Sequence, residues 1–323
     1  MATARAYHTA TLLNSGKVLV SAGYGLVAYL ASSEKYDPST DQWNSASNMT
    51  TARYHHTAVL LNSGKVLVSA GYGWPGYLAS SEIYDPSADQ WNSATSMATA
   101  RYYHTAILLN SGNVLVSAGY GWPGYLASSE IYDPSADQWN SATSMAIARA
   151  FHTATLLNSG KVLVIGGAES SSLLAGCEIY DASTDEWNSA SNMTTVRTFH
   201  TATLLNSGKV LVTGGTEVAS CEIYDPSTDE WNSASNMTTV RAFHTATLLN
   251  SGKVLITGGL TPSGVFLESS EIYDPSTDQW NSAASMAVPL AYYTATPLSL
   301  GKVLITGGIT LDTFLASSEM YDP

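Results

Sequence analysis

Glutamate, arginine and histidine recur in this chain in contexts that invite a chemical reading. Glu34, Glu82, Glu130, Glu178, Glu222, Glu271 and Glu319 each stand two residues before a tyrosine that is followed by aspartate. Carboxylates grouped with a phenol could move protons in acid–base catalysis. The same phrase supplies Arg5, Arg53, Arg101, Arg149, Arg197 and Arg241, and the histidines His8, His56, His104, His152, His200 and His244, with Leu290 and Tyr293 in the seventh places. A ring of imidazoles could hold a metal, but ligation needs three or four donors of chosen types converging on one point. A residue present in every copy is better explained by packing than by one reactive centre. Glu–Arg pairs that satisfy partly buried charge are therefore expected, with the last copy as the weak point. The histidines are expected in the core, hydrogen-bonded locally, with no metal and no cofactor. His55 occurs once and is expected at the surface.

The elements that position these residues follow from the repeat. Met1, Met49, Met97, Met145, Met193, Met237 and Met286 open versions of one phrase, at spacings of 48, 48, 48, 48, 44 and 49. Within the second copy, YHHTAVLL, KVLVSAG, SSEIY and QWNSA have the β-branched, aromatic and alternating character of strands, separated by Asn-Ser-Gly, a variable loop and Asp-Pro-Ser-x-Asp. Four strands per unit, joined as a meander, fit radial stacking into a propeller. Helical repeats are excluded, because their apolar residues would recur every three or four positions. The expected fold is all-β: one domain over 1–323, a seven-bladed β-propeller of four-stranded antiparallel blades. Its repeats are 1–48, 49–96, 97–144, 145–192, 193–236, 237–285 and 286–323.

These units resemble the Kelch repeat, in the variant phrased HTATLL, GKVLV, GG, E-x-Y-D-P and W. The resemblance covers nearly the whole chain. It implies that the HTATLL strand lies nearest the axis and the strand of Trp43, Trp91, Trp139, Trp187, Trp231 and Trp280 outermost, with the indoles packing between blades. The sequence stops at Tyr321-Asp322-Pro323, ahead of a seventh such Trp. The last blade is therefore expected to be three-stranded with an open edge, a recognised liability for strand pairing. Ring closure is expected to rest on side-chain packing between the first and last blades. Cys177 and Cys221 take the place of Ser33, Ser81 and Ser129 on neighbouring blades, too far apart for a disulfide, so both are expected as free, packed thiols.

Function is expected where the units stop agreeing, in the loops between second and third strands. Three successive copies place Tyr24, Tyr29, Tyr72, Trp74, Tyr77, Tyr120, Trp122 and Tyr125 there, with Phe266 and Phe314 farther round the ring. Such aromatics give large contact area at small entropic cost, as a glycan or a protein hot spot requires. The expected role is a non-catalytic binding or scaffold propeller for a protein segment or glycan. Alternatives are a self-assembling propeller that dimerises through the last blade's edge and, remotely, a copper enzyme resembling galactose oxidase. The oxidase needs a Tyr–Cys cross-link beside two histidines, a context that neither cysteine has. No G-x-S-x-G elbow is present, and every arginine belongs to the repeat.

Composition narrows the partners. With 13 Lys+Arg against 26 Asp+Glu, the net charge of −13 argues against nucleic acid. Hydrophobic residues make up 45% and charged residues 12%, which excludes disorder and favours a large core. No stretch approaches the ~20 apolar residues of a membrane span, so no membrane insertion is expected and the chain should be soluble. MATARAYHTATLL has no apolar leader, so no secretory signal is expected within these residues, and the compartment is left open. Asn48, Asn192 and Asn236 fit the glycosylation acceptor pattern because the repeat recurs.

Overall fold

Each unit folds as a meander because its strands are short and its breaks are built from turn residues. The computed structural model describes all residues from Met1 to Pro323. In blade 1 the strands are a (Thr9–Leu12), b (Val18–Ser21), c (Ser33–Asp37) and d (Gln42–Ala46), paired antiparallel in that order. Gly16, at φ 80°, makes the a–b turn and donates its N–H to Leu13 O at 2.9 Å. The same order recurs in six four-stranded sheets. The seventh is three-stranded, formed by Thr294–Pro297, Val303–Thr306 and Ser318–Tyr321. There is no helix.

Strand b is buried on both faces in every blade, since neighbouring sheets cover it from both sides. The core therefore lies between blades. Leu157 and Leu163 of blade 4 pack with Val210, Val212 and Tyr224 of blade 5, and the pattern repeats around the ring. At the outer rim Trp91 Nε1 donates to Ser47 O of the preceding blade at 3.1 Å, and Trp139, Trp187, Trp231 and Trp280 do the same in turn. Trp43 donates instead to Ser318 Oγ of blade 7 at 3.1 Å, because no d strand stands there.

Ring closure uses more than side-chain packing. At six interfaces the second residue of the Ala-Gly or Gly-Gly pair after strand b donates its N–H to a main-chain carbonyl of the next blade, as Gly23 does to Arg53 O at 2.8 Å. Gly308 of blade 7 makes the equivalent bond to Arg5 O of blade 1, also at 2.8 Å. Tyr7 N donates to Tyr292 O at 3.2 Å and Arg5 N to Leu315 O at 3.1 Å. The seam thus carries main-chain bonds of the same kind as the other interfaces, and Val18, Val20 and Tyr36 pack there on Leu298 and Leu304.

Candidate functional site

The repeated charged residues are consumed by the frame. Arg149 is fully buried and its Nη2 donates to Glu178 Oε1 at 2.8 Å, while Nη1 donates to Gly166 O at 2.9 Å and Gly176 O at 2.8 Å. Glu178 also accepts the N–H groups of Ala146 at 2.7 Å and Ile147 at 3.2 Å. Each pair therefore ties the segment entering strand a to the edges of strands b and c within one blade. Blade 7, with Leu290, leaves Glu319 half-exposed and bonded to the Ala287 N–H at 2.9 Å. The histidines face the preceding blade: Nε2 of His56, His104, His152, His200 and His244 meets a threonine hydroxyl there at 2.9 to 3.0 Å. His8 bridges to Thr294 at 3.1 Å across the seam, and Tyr293 Oη lies 2.7 Å from Thr257 Oγ1.

One residue before each histidine position, the chain carries Tyr7, His55, Tyr103, Phe151, Phe199, Phe243 and Tyr292. All seven have φ between 51° and 59°, a conformation unusual for bulky side chains. That backbone twist at the start of strand a turns every ring inward. Their centroids stand 4.0 to 4.7 Å from one neighbour to the next and form a closed circle around the axis. His55 is therefore a member of this axial ring, not a surface residue. Burial pushes its pKa down to about 3, so it stacks as a neutral imidazole.

The loops between strands b and c open on the face where this ring lies. There Tyr24, Tyr29, Tyr72, Tyr77, Tyr120 and Tyr125 form a band whose gaps are filled by Tyr54 and Tyr102. Tyr29 stacks on Tyr54 with centroids 5.5 Å apart and planes inclined by 6°, and Tyr77 stacks on Tyr102 at 5.5 Å. Tyr24, Tyr72 and Tyr120 meet these rings at 5.7 to 5.8 Å, and Tyr125 closes on Tyr120 at 5.1 Å. Tyr54 reaches the axial ring at Tyr7, 5.9 Å away. Phe314 is not farther round: closure brings blade 7 beside blade 1, and its ring lies 5.6 Å from Tyr24. Tyr54 and Tyr102 were missed because they stand outside the variable loops. Their signal was a tyrosine at this position in two adjacent copies where the others carry Ala or Thr.

The tyrosines are half-buried by one another, whereas Trp74 and Trp122 are 85% and 84% exposed. Trp74 overhangs a cleft of about 700 Å³ between the loops of blades 1 and 2, lined also by Tyr24, Val27, Tyr29 and Thr51. Burial, followed by the neighbouring phenols, raises the pKa of Tyr102 to about 12, so its hydroxyl stays protonated at neutral pH. The band thus presents apolar ring surface together with phenol hydroxyl groups.

A closed ring of seven Tyr-Asp repeat sheets, six of them with an outer Trp strand, with its variable loops on one face defines a repeat propeller. The chain belongs to the Kelch-repeat family. The KLHDC2/KLHL20/DRC7 Kelch-repeats domain matches residues 7–215, and the Kelch motif matches residues 199–238 and 241–287. No curated protein matches the sequence. Among solved structures, a fungal alcohol oxidase of the AA5 family in complex with copper superposes with a TM-score of 0.80 at 18% identity, covering 99% of this chain and 74% of that one. YjhT superposes with a TM-score of 0.67 at 15% identity, over 88% of this chain and 98% of that one. Such identities show the fold alone. No three His, Cys, Asp or Glu side chains converge, the core histidines are engaged with threonine or serine-bearing strands, and the free Cys177 and Cys221 lie buried on separate blades.

Proposed function

We propose that the chain is a non-catalytic binding propeller that holds a protein segment against the loops of blades 1–3. The observation that carries this reading is the pair Trp74 and Trp122, almost fully exposed, one blade apart, on the loops that also carry the continuous tyrosine band. Large exposed indoles cost solvation in the free protein and supply hot-spot area when covered. Kelch propellers generally bind protein partners, which favours a polypeptide over a glycan. The reading of no catalysis draws support from the use of the repeated Glu, Arg and His side chains as structural bonds.

The test is selection of ligands from a displayed library of random peptides, beside a glycan array, with wild type and the Trp74→Ala/Trp122→Ala variant. Peptides bound by wild type should lose at least about tenfold in affinity in the variant, with Tm unchanged because both side chains are exposed. Selected peptides that bind both proteins equally would overturn the reading, as would binding confined to glycans.

A further inference from the structure

The charges on the loop face are divided by sector. In blades 1–3 the segments joining strands b and c, residues 22–32, 70–80 and 118–128, contain no charged residue. The corresponding segments of blades 4–7 carry Glu169, Glu217, Glu268 and Asp312 and no Lys or Arg. Glu217, Glu268 and Asp312 are exposed and Glu169 is half-exposed, accepting only a neighbouring hydroxyl, that of Ser172. These loops leave their blades alike: Tyr24, Ala168, Leu260 and Ile309 each bridge to the segment that precedes strand a. The acidic side chains therefore stand on the same face as the aromatic band, on the remaining arc of the ring.

No lysine or arginine is free to neutralise that arc. All thirteen Lys and Arg side chains are already paired with thirteen different carboxylates. The six arginines are fully buried with their glutamates. Six lysines lie at the a–b turns on the opposite face, each bonded to the aspartate that follows strand c's tyrosine, and Lys35 reaches Asp89 of the next blade. The net charge of −13 is thus carried by carboxylates without a basic partner, and four of them stand on the loops of blades 4–7, on the face that carries the aromatic band.

We infer that the segment held on this face is cationic: an extended polypeptide whose apolar side chains lie on the Trp74/Trp122 arc while its Lys or Arg side chains reach Glu169, Glu217, Glu268 and Asp312. The inference rests on the proposed binding role and adds the chemistry of the ligand. Charge complementarity selects against acidic competitors and speeds encounter, and the uncharged tyrosines supply the contact area.

The experiment uses the peptides selected on wild type, with affinities measured for wild type, for the Glu169→Gln/Glu217→Gln/Glu268→Gln/Asp312→Asn variant and for Trp74→Ala/Trp122→Ala. Selected sequences should be enriched in Lys and Arg over the input library. Their affinity should fall about tenfold in the carboxamide variant and about as much between low and several-hundred-millimolar salt. Neutral or acidic selected peptides, bound as well by the carboxamide variant and insensitive to salt, would overturn the inference; if they still failed on the Trp variant, the aromatic reading would stand. Peptides indifferent to both variants would overturn both. Carboxylates on exposed loops leave the fold intact when neutralised, and an unchanged Tm of the variant serves as the control.

Discussion

At the scale of single residues the buried ion pair sets the largest local energies. Removing the guanidinium of Arg149 leaves Glu178 in the core with its Ala146 and Ile147 amides but no cation, orphans the carbonyl of Gly166 and leaves that of Gly176 with only the Gly166 N–H. Arg149→Ala should destabilise the fold by about 3–5 kcal/mol, the usual cost of breaking a buried pair on one side. Denaturant unfolding that gave the variant the wild-type midpoint would refute the structural role of the pair. This role was legible without coordinates, since Arg and Glu recur together in six copies and internal repetition distinguishes a frame residue from a reactive one. His55 was not legible as a single residue. Judged by type it is a lone surface histidine, whereas judged by position it occupies the place of Tyr7, Tyr103 and Phe151 in a ring of stacked aromatics.

At the scale of the element the decisive positions are the glycines that end strand b, where the chain packs on the entry to strand a of its own blade and bonds to the next blade. Gly167 has φ 98°, donates its N–H to Arg197 O at 2.8 Å, and would place a Cβ 2.6 Å from Ala150 O and 2.9 Å from His152 Cβ. Gly167→Ala should therefore cost at least about 2 kcal/mol, combining left-handed strain with a main-chain clash. Gly176→Ala in the same blade is the control: its Cβ would meet nothing closer than 3.8 Å, so its Tm should stay near that of wild type. Equal losses in the two variants would show that the close contact and left-handed backbone at Gly167 do not set its cost. Strand boundaries and the three-stranded last blade were legible because turn residues and apolar runs alternate in phase through the units. The loop face was legible only in part. The loops of blades 1–3 declare their aromatics in sequence, but Tyr54, Tyr102 and Phe314 join the band through strand entry geometry and ring closure, neither of which a linear reading contains.

At the scale of the whole molecule the interfaces share one titratable device. Six of the seven carry a buried imidazole bonded across to the neighbouring blade, with Tyr293 serving at the seventh. Burial holds His8, His104, His200 and His244 at about 3, and His56 and His152 well below their ordinary value. The unfolded chain binds protons at these sites near pH 6.5 while the folded ring refuses them, so stability is complete above about pH 6.5 and falls as pH drops towards 3. Each histidine contributes a slope of about 1.4 kcal/mol per pH unit within that window, and because these six and His55 of the axial ring act together the ring should open cooperatively in mild acid. The carboxylates with lowered pKa, such as Glu34 and Asp37, lose their stabilisation only below about pH 4, which leaves the interval from about 6.5 to 4.5 to the histidines. Tm measured across that interval should fall steeply. A His152→Gln variant, which keeps a hydrogen-bonding side chain without titrating, should reduce the proton uptake on unfolding by one. A Tm that is level from about pH 7 to about pH 5 would show that the interface imidazoles are accessible to protons in the folded ring, and would remove the acid-labile seams from this account.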